Sequence, residues 1–183
     1  MITMGIDPSI NCTGVCIYDD VNEIHYYYMI VAKMNKKMQQ FNNEYINIIS
    51  YNKLDYSKDD YSTKEFKKSV NVNSICYYIR DIIQHHEPNL IQMEGISYGS
   101  RGSAALADLA GLNFAIRMTI LGESEMNFNI IAPTSVKKFA VGNGGVEKDV
   151  MIASWKKLDK NISNITEIKL DDLADSFFLA HYK

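Results

Sequence analysis

A chain of 183 residues is long enough to bury a hydrophobic core without disulfides, and its 46% hydrophobic and 22% charged content is ordinary for a soluble globular protein. No apolar stretch approaches the roughly 18 residues that indicate a membrane span, and the N-terminus has no signal-peptide pattern. The net charge of -3 argues weakly against a nucleic-acid partner, because domains that bind nucleic acid are usually basic.

The first thirty residues predict three short strands, at 2–6, 14–18 and 24–31, separated by turn residues. The short turns favour an antiparallel arrangement of these strands. The next segment, residues 32–63, is rich in Lys, Asn, Tyr and Ser and has no sustained periodicity. We interpret it as an excursion from the core that is made of loop and short elements.

Helices and strands alternate through the middle of the chain. The capping-box pattern Ser62-Thr63-Lys64-Glu65 predicts the start of a helix that ends before Pro88. Residues 89–94 predict a strand that is buried on both faces. Residues 103–121 predict a second helix with a stripe of Ala and Gly that permits close packing.

The C-terminal part continues this alternation. A strand is predicted at 128–132, a short helix begins at Pro133-Thr134, and further helices are predicted at 146–158 and from about 170 to 182. The pattern predicts an α/β fold with a mixed sheet flanked by helices. It shows no internal repeat, and we expect one domain over residues 1–183.

Four acidic residues are placed where such a fold could bring them together. Asp7 follows the first apolar run, Glu94 ends the strand at 89–94, and Asp172 and Asp175 share one face of the last helix. Crowded carboxylates repel one another, so a cluster of this kind normally persists when divalent cations neutralise it. Asp171 is an alternative to Asp172, because residues 171 and 175 also share a face.

Each of these acidic residues also has a structural interpretation. An Asp before Pro is common in turns, and a Glu at a strand end can simply reach solvent. Asp7 followed by Thr13-Gly14 also fits the nucleotide-contacting turn of actin-like ATPases. The ordered set of four is more specific than any of its members.

Groups that could contact a phosphate lie in two segments. Lys137 and Lys138 precede the run Gly142-Asn143-Gly144-Gly145, whose backbone N–H groups could bind a phosphate, with Lys148 just behind it. A flexible linker is the alternative for the glycines. Closer to Glu94, Tyr98 could stack on an unpaired base and Arg101 offers a guanidinium; an ordinary tyrosine is the alternative for Tyr98.

The chain resembles a RuvC-type Holliday junction resolvase of the RNase H-like superfamily, and most resembles the versions that bacteriophages carry. The similarity runs from Gly5-Ile6-Asp7-Pro8-Ser9 through Glu94 and the segment 136–148 to Asp172-Leu173-Ala174-Asp175-Ser176. The pattern Lys-x-x-x-x-Gly-x-Gly-x-x-x-Lys is its most specific part, because actin-like ATPases lack it. The similarity covers the chain except residues 32–63, which are longer than the usual connection of the family.

This resemblance implies an RNase H-like fold: a mixed five-stranded sheet, with the first three strands antiparallel, flanked by helices. It implies that two Mg²⁺ ions, for which Mn²⁺ can substitute, are held by a catalytic quartet: Asp7, Glu94, Asp172 and Asp175. It places Lys137 and Lys148 beside the scissile phosphate, with Lys148 among the catalytic residues. The DNA-binding residues expected with it are Lys137, Lys138, Lys148, Tyr98, Arg101, Gly142 and Gly144.

The implied activity is that of a Mg²⁺-dependent, structure-selective endodeoxyribonuclease that resolves four-way junctions by paired symmetric nicks. Such an enzyme would act as a homodimer, for which we expect the helix at 103–121 to form the interface, and without a membrane partner. It would serve DNA recombination and repair in the cytoplasm of a bacterial cell. Three alternatives stay open: a flap or fork nuclease of relaxed specificity, an actin-like ATPase, and a non-catalytic junction-binding protein.

Overall fold

The computed structural model describes residues 1–96, 102–123, 128–159, 162 and 171–183. Within these ranges, six strands form a mixed sheet in the order β4-β3-β2-β1-β5-β6. The strands are β1 (Ile2–Asp7), β2 (Cys12–Asp19), β3 (Ile24–Val31), β4 (Ile46–Ser50), β5 (Leu90–Glu94) and β6 (Phe128–Ile131). The helices are α1 (Lys36–Gln39), α2 (Tyr61–His86), α3 (Ser103–Glu123), α4 (Pro133–Val141), α5 (Lys148–Leu158) and α6 (Asp171–Ala180).

The strand directions bring several loops to one edge of the sheet. β1, β2 and β3 pair antiparallel, whereas β4 is parallel to β3, β5 to β1 and β6 to β5. The carboxyl ends of five strands and the amino end of β2 therefore lie at the same edge. We call it the carboxyl edge; it is marked by Asp7, Cys12, Val31, Ser50 and Glu94.

The predicted mixed α/β fold is confirmed, but the predicted number of strands was one too low. The additional strand, β4, lies within the segment that was interpreted as an excursion. Ile46 and Ile48 are buried, and the register with β3 runs from Tyr27–Ile46 to Val31–Ser50. A five-residue strand in a polar, Asn-rich context shows too little alternation to be recognised, and its burial depends on pairing with β3.

The first long helix begins slightly earlier than the capping box predicts. Asp60 is the N-cap of α2, and its side chain accepts a hydrogen bond from Thr63 N at 3.1 Å. Ser62 and Glu65 therefore lie inside the first turns of α2 rather than forming the cap. The helix ends as predicted before Pro88, with Glu87 in the left-handed region at φ 45°.

Helices cover both faces of the sheet. On one face α2 and α3 pack on the sheet through a cluster that includes Met4, Ile6, Val15, Ile17, Ile75, Ile79, Leu112 and Ile116. On the other face α4, α5 and α6 pack through a cluster that includes Cys16, Tyr27, Met29, Val136, Trp155, Leu173 and Phe177. Helices on both sides bury consecutive residues of the central strands, namely Thr3 to Ile6 of β1 and Ile91 to Met93 of β5.

Helix α3 corrects one expectation from the sequence. By length and composition alone, Ala104–Glu123 could cross a membrane: an 18-residue stretch of these 20 residues has a mean hydropathy of 1.4, and 33% of that stretch is buried. The expectation overlooked this stretch because Asp108, Asn113 and Arg117 interrupt it. A helix in a protein core can have the same length and hydropathy, and α3 packs on α2 with Ile116 fully buried.

A buried polar network joins β3 to the end of α5. The Tyr27 hydroxyl donates to Asp159 Oδ2 at 2.6 Å and accepts from Trp155 Nε1 at 3.0 Å. His25 Nδ1 lies 3.3 Å from the same carboxylate oxygen. Because Tyr27, Asp159 and Trp155 are buried, their polar groups need these partners to compensate for lost hydration.

We expect Tyr27→Phe to lower the free energy of unfolding by about 1–3 kcal/mol, because buried partners lose a hydrogen bond. Tyr26→Phe is the matched control, since the Tyr26 hydroxyl has no hydrogen bond within the described ranges. Urea denaturation of both variants checks this. Equal stability of the two variants would contradict a structural role for the network.

Candidate active site

The structure brings the four predicted acidic residues together at the carboxyl edge. Asp7 ends β1 and Glu94 ends the neighbouring parallel strand β5, so the two side chains leave adjacent strand ends. Asp172 and Asp175 come from the first two turns of α6, which packs across β1 and β2. Asp7 is only 8% exposed and hydrogen-bonds the side chain of Glu94.

The electrostatics of this cluster show how close the four groups are. Burial raises the pKa of Asp7 well above its usual value, and the charges of Glu94, Asp172 and Asp175 raise it further. Burial also raises the pKa of Asp175 to about 6, although the charges of two lysines, 148 and 137, lower it. The site holds more negative charge than its own lysines neutralise.

This donor set has the chemistry of a divalent-metal site. All four side chains offer hard carboxylate oxygens, which suit Mg²⁺ or Mn²⁺, and a cation would relieve the repulsion that raises their pKa values. Across the described residues, no three His, Cys, Asp or Glu side chains form a converged metal-binding group. The four residues therefore fit a divalent metal by donor type and by their proximity to Asp7.

The two adjacent aspartates at the start of α6 have different surroundings. Asp171 forms an ion pair with the Lys148 ammonium group. The charge of Asp172 instead raises the pKa of Asp7. Asp172 also accepts a hydrogen bond from the Cys12 thiol, and burial together with this carboxylate raises the pKa of that thiol. Asp172 therefore lies beside Asp7, whereas Asp171 lies beside Lys148.

Helix dipoles act differently on the two sides of this ion pair. Asp171 and Asp172 lie in the first turn of α6, where the dipole favours negative charge. Lys148 is the first residue of α5, where the dipole disfavours a cation. Its ammonium group is stabilised by Asp171, and its pKa is raised by this hydrogen bond and by the nearby carboxylates. The Lys148 charge is therefore favourable for the acidic site and unfavourable for the N-terminus of α5.

Two glycines allow α6 to approach the sheet closely enough to form this site. A Cβ atom on Gly14 would collide with the backbone carbonyl of Asp172, and one on Gly5 would collide with the backbone of Ser176 and Ala180. Gly14 is also the antiparallel partner of Asp7. The absence of a side chain at Gly14 therefore sets the distance between the backbone of Asp172 and the end of β1.

The segment between α4 and α5 differs from the predicted phosphate cradle. Gly142 is the C-cap of α4, at φ 77°, and its N–H donates to Lys138 O at 2.8 Å. The Gly145 N–H donates to Asn143 Oδ1 at 3.0 Å. These two N–H groups are used within the protein, because the turn must be closed there, so they are not available to a phosphate.

The remaining predicted DNA contacts have mixed placements. Lys137 donates to Val146 O at 3.0 Å, and its charge lowers the pKa of Asp175, so it lies beside the acidic site. Lys138 is exposed, and Gly144 is packed close to the backbone of Thr134. Tyr98 and Arg101 lie outside the described residues, and their roles stay predictions.

Sequence reasoning missed three residues that support the site. Gly14 was considered only as part of a turn pattern, and Cys12 was not assigned to the site. Asn113, buried in α3, donates to the backbone carbonyl of Glu94 at 3.0 Å and so holds the end of β5. A glycine inside a strand and an Asn within an apolar helix were the available signals.

Comparison with known proteins identifies a matching family model and solved structures of similar fold. The family model described as "Crossover junction endodeoxyribonuclease RuvC" matches residues 3–181. Thermus thermophilus RuvC is similar in structure, at 13% identity and a TM-score of 0.59, covering 98% of this chain and 91% of that one. No curated protein sequence matches the chain significantly.

Two further solved structures share the fold. T. thermophilus RuvC in complex with a Holliday junction substrate has 14% identity and a TM-score of 0.62, with 98% of this chain and 90% of that chain covered. The yeast mitochondrial Holliday junction resolvase Ydc2 has 15% identity and a TM-score of 0.54, with 97% and 76% covered. At these identities the likeness shows the fold alone.

We expect Gly14→Ala to lower the free energy of unfolding by about 1–3 kcal/mol or more, because the new methyl group must displace α6. It should also reduce the rise in Tm that Mg²⁺ produces, since Asp172 moves with the helix. Gly122→Ala is the control: a Cβ there meets nothing, and helix propensity predicts a gain of about 0.4–1 kcal/mol. Thermal denaturation with and without Mg²⁺ checks this; an unchanged Mg²⁺ response in Gly14→Ala would contradict it.

Proposed function

This chain belongs to the RuvC family of crossover junction endodeoxyribonucleases, and we propose that it resolves four-way DNA junctions by two symmetric, metal-dependent nicks. The observation that carries this proposal is the proximity of Glu94, Asp172 and Asp175 to Asp7 at one sheet edge, where their charges raise the pKa of Asp7. A protein that only binds DNA gains nothing from clustered carboxylates, which repel phosphate.

The nucleases of this family depend on divalent metal ions. We infer that Asp7, Glu94, Asp172 and Asp175 would together hold two Mg²⁺ ions, for which Mn²⁺ could substitute. When bound, the metal supplies Lewis acidity, which activates water for attack on phosphorus and stabilises the negative charge of the transition state and of the leaving oxygen.

Lys148 and Lys137 supply the positive charge that the protein itself brings to the reaction. The Lys148 side chain is 67% exposed, yet its ammonium group is held beside the acidic cluster by Asp171. It can therefore contact a phosphate that enters the site while Asp171 fixes its position. Lys137 is held by Val146 O and lowers the pKa of Asp175, which keeps that carboxylate ionised for metal binding.

The charge distribution is compatible with a DNA substrate despite the net charge of -3. Asp19, Asp20 and Glu23 lie in and beside the turn between β2 and β3, at the edge of the sheet opposite the carboxyl edge. Lysines 137 and 148 lie beside the carboxyl edge. DNA approaching that edge therefore avoids this acidic turn. The related T. thermophilus RuvC is known with a Holliday junction substrate, which makes a four-way junction the substrate to test.

A homodimer would supply the two active sites that symmetric nicks require. Helix α3 has an exposed apolar surface at Phe114, Met118 and Leu121, with exposures of 58%, 67% and 55%. Ala107 and Gly111 are also exposed on α3, so another helix can approach closely. We propose this surface as the dimer interface, and the cytoplasm of a bacterial cell as the place where the enzyme acts.

We expect Asp7→Asn to reduce cleavage of a four-way junction in Mg²⁺ by at least roughly 100-fold, because it removes a metal ligand, while junction binding is kept or tightened. It should also raise Tm at pH 7 without divalent ions. The raised pKa means that ionised Asp7 destabilises the fold as pH rises above its unfolded pKa. End-labelled junction and linear duplex, with Mg²⁺ or EDTA, check the cleavage.

Three outcomes of this assay are distinguishable. Paired, symmetric nicks on the junction, absent with EDTA and in Asp7→Asn, support the proposal. Cleavage of flaps, forks and junctions alike would indicate a nuclease of relaxed specificity instead. Junction binding without cleavage by the wild type in either Mg²⁺ or Mn²⁺ would indicate a binding protein.

We expect the wild type to be a dimer at micromolar concentration and Met118→Glu to be a monomer, because a buried carboxylate would face the partner helix. Val21→Glu is the control, since Val21 is 78% exposed in the turn between β2 and β3, away from α3. Size-exclusion chromatography with light scattering checks both. A monomeric wild type would contradict the α3 interface.

A further inference from the structure

A groove of about 520 Å³ lies where residues 32–57 meet the carboxyl edge. Its lining residues are Ala32, Lys33, Asn52, Lys53, Leu54, Asp55, Tyr56 and Ser57. Most belong to the loop that follows β4, the strand that was not predicted. The loops after β3 and β4 lie at the same sheet edge as Asp7, because those strands both end there.

Hydrogen bonds attach this groove to the turn that follows Asp7. Ala32 N donates to Asn11 O at 2.9 Å, and Lys53 N donates to Ala32 O at 2.9 Å. The hydroxyl of Tyr51 donates to Ile10 O. The groove therefore supports the β1–β2 turn at Ile10 and Asn11. The other end of the same turn follows Asp7, in the acidic site. A strand of DNA at Asp7 that continued past this turn would meet the groove.

The two groove lysines carry charge that no carboxylate neutralises within the described residues. Lys53 Nζ donates to the neutral side chain of Asn11 at 3.2 Å and lies 5.8 Å from the centroid of the Tyr56 ring. Lys33 is exposed and forms no ion pair in those ranges. By contrast, two lysines on α2 are paired: Lys67 with Asp59, and Lys68 with Glu65 and Asp108.

The groove also contains one acidic residue, Asp55, whose negative charge is partly offset by the nearby Lys67. The Asp55 carboxylate accepts a hydrogen bond from Ser57 N at 2.9 Å within its own loop. Asp55 O also accepts from Lys67 Nζ at 3.0 Å, which fixes that loop against α2. The ammonium group of Lys53, held by Asn11 and Tyr56, is preorganised, so little side-chain entropy is lost on binding a phosphate.

We propose that this groove binds the sugar-phosphate backbone of a DNA arm that leaves the cleavage site, with Lys33 and Lys53 each contacting a phosphate. The inference rests on the proposed nuclease function and assigns a role to residues 32–57. Lysine–phosphate contacts position a duplex without reading its sequence. The groove would thus favour substrates with a continuous arm on this side of the active site.

The test is fluorescence-anisotropy titration of a labelled four-way junction in EDTA, over a range of salt concentrations. We expect Lys33→Gln/Lys53→Gln to bind at least roughly tenfold more weakly at 0.1 M salt, and the slope of log Kd against log salt to fall by about 2. Lys157→Gln/Lys183→Gln removes the same charge from the ends of α5 and the chain, and should keep the wild-type slope. Lys53→Arg keeps the positive charge and should keep wild-type binding. This variant therefore separates the effect of the charge from the effect of supporting the turn.

Neutral methylphosphonate linkages, placed singly along each junction arm, locate the contact. Wild type should lose affinity at one or two positions of an arm, and the Lys33→Gln/Lys53→Gln variant should be insensitive at those positions. A wild-type slope and Kd in that variant would overturn the groove proposal while leaving the nuclease proposal intact. A wild type that neither binds nor cuts the junction would overturn both.

Discussion

The close approach of α6 to the sheet is the constraint on which the rest of the structure depends. At Gly5 and Gly14 the backbone of α6 occupies the space that a Cβ atom would need. This contact carries Asp172 to the end of β1 and packs Phe177 and Leu179 into the core. The geometry of the acidic site and one of the two hydrophobic layers therefore depend on the same interface, so a change that separates helix from sheet affects both.

The acidic site is arranged against the stability of the fold. Burial and mutual repulsion raise the pKa values of Asp7 and Asp175, so both carboxylates cost free energy when ionised at neutral pH. Lys148 adds a cation at a helix N-terminus, where the dipole disfavours it. Such costs are typical of functional sites, where charges are held at the expense of stability.

The segment between β3 and α2 forms part of the carboxyl edge of the sheet. Its strand β4 extends the sheet, and its following loop supports the turn next to Asp7 through Tyr51, Ala32 and Lys53. A segment that was interpreted from its composition as an excursion is thus built into the sheet. Lys33 and Lys53, which form no ion pair in the part of the chain that the structure describes, lie at the carboxyl edge, while Asp19 and Asp20 lie at the opposite edge.

The sequence alone determined the alternation of strands and helices, because burial on one or both faces leaves a readable periodicity, and it determined which acids end β1 and β5. Motifs around Asp7, Glu94 and residues 136–148 also carried the family resemblance. Only the tertiary structure decided that Asp172 rather than Asp171 meets Asp7, that residues 46–50 form a strand, and that Gly14 sets the helix position. These depend on pairing and close packing between segments far apart in the chain, which local pattern does not encode.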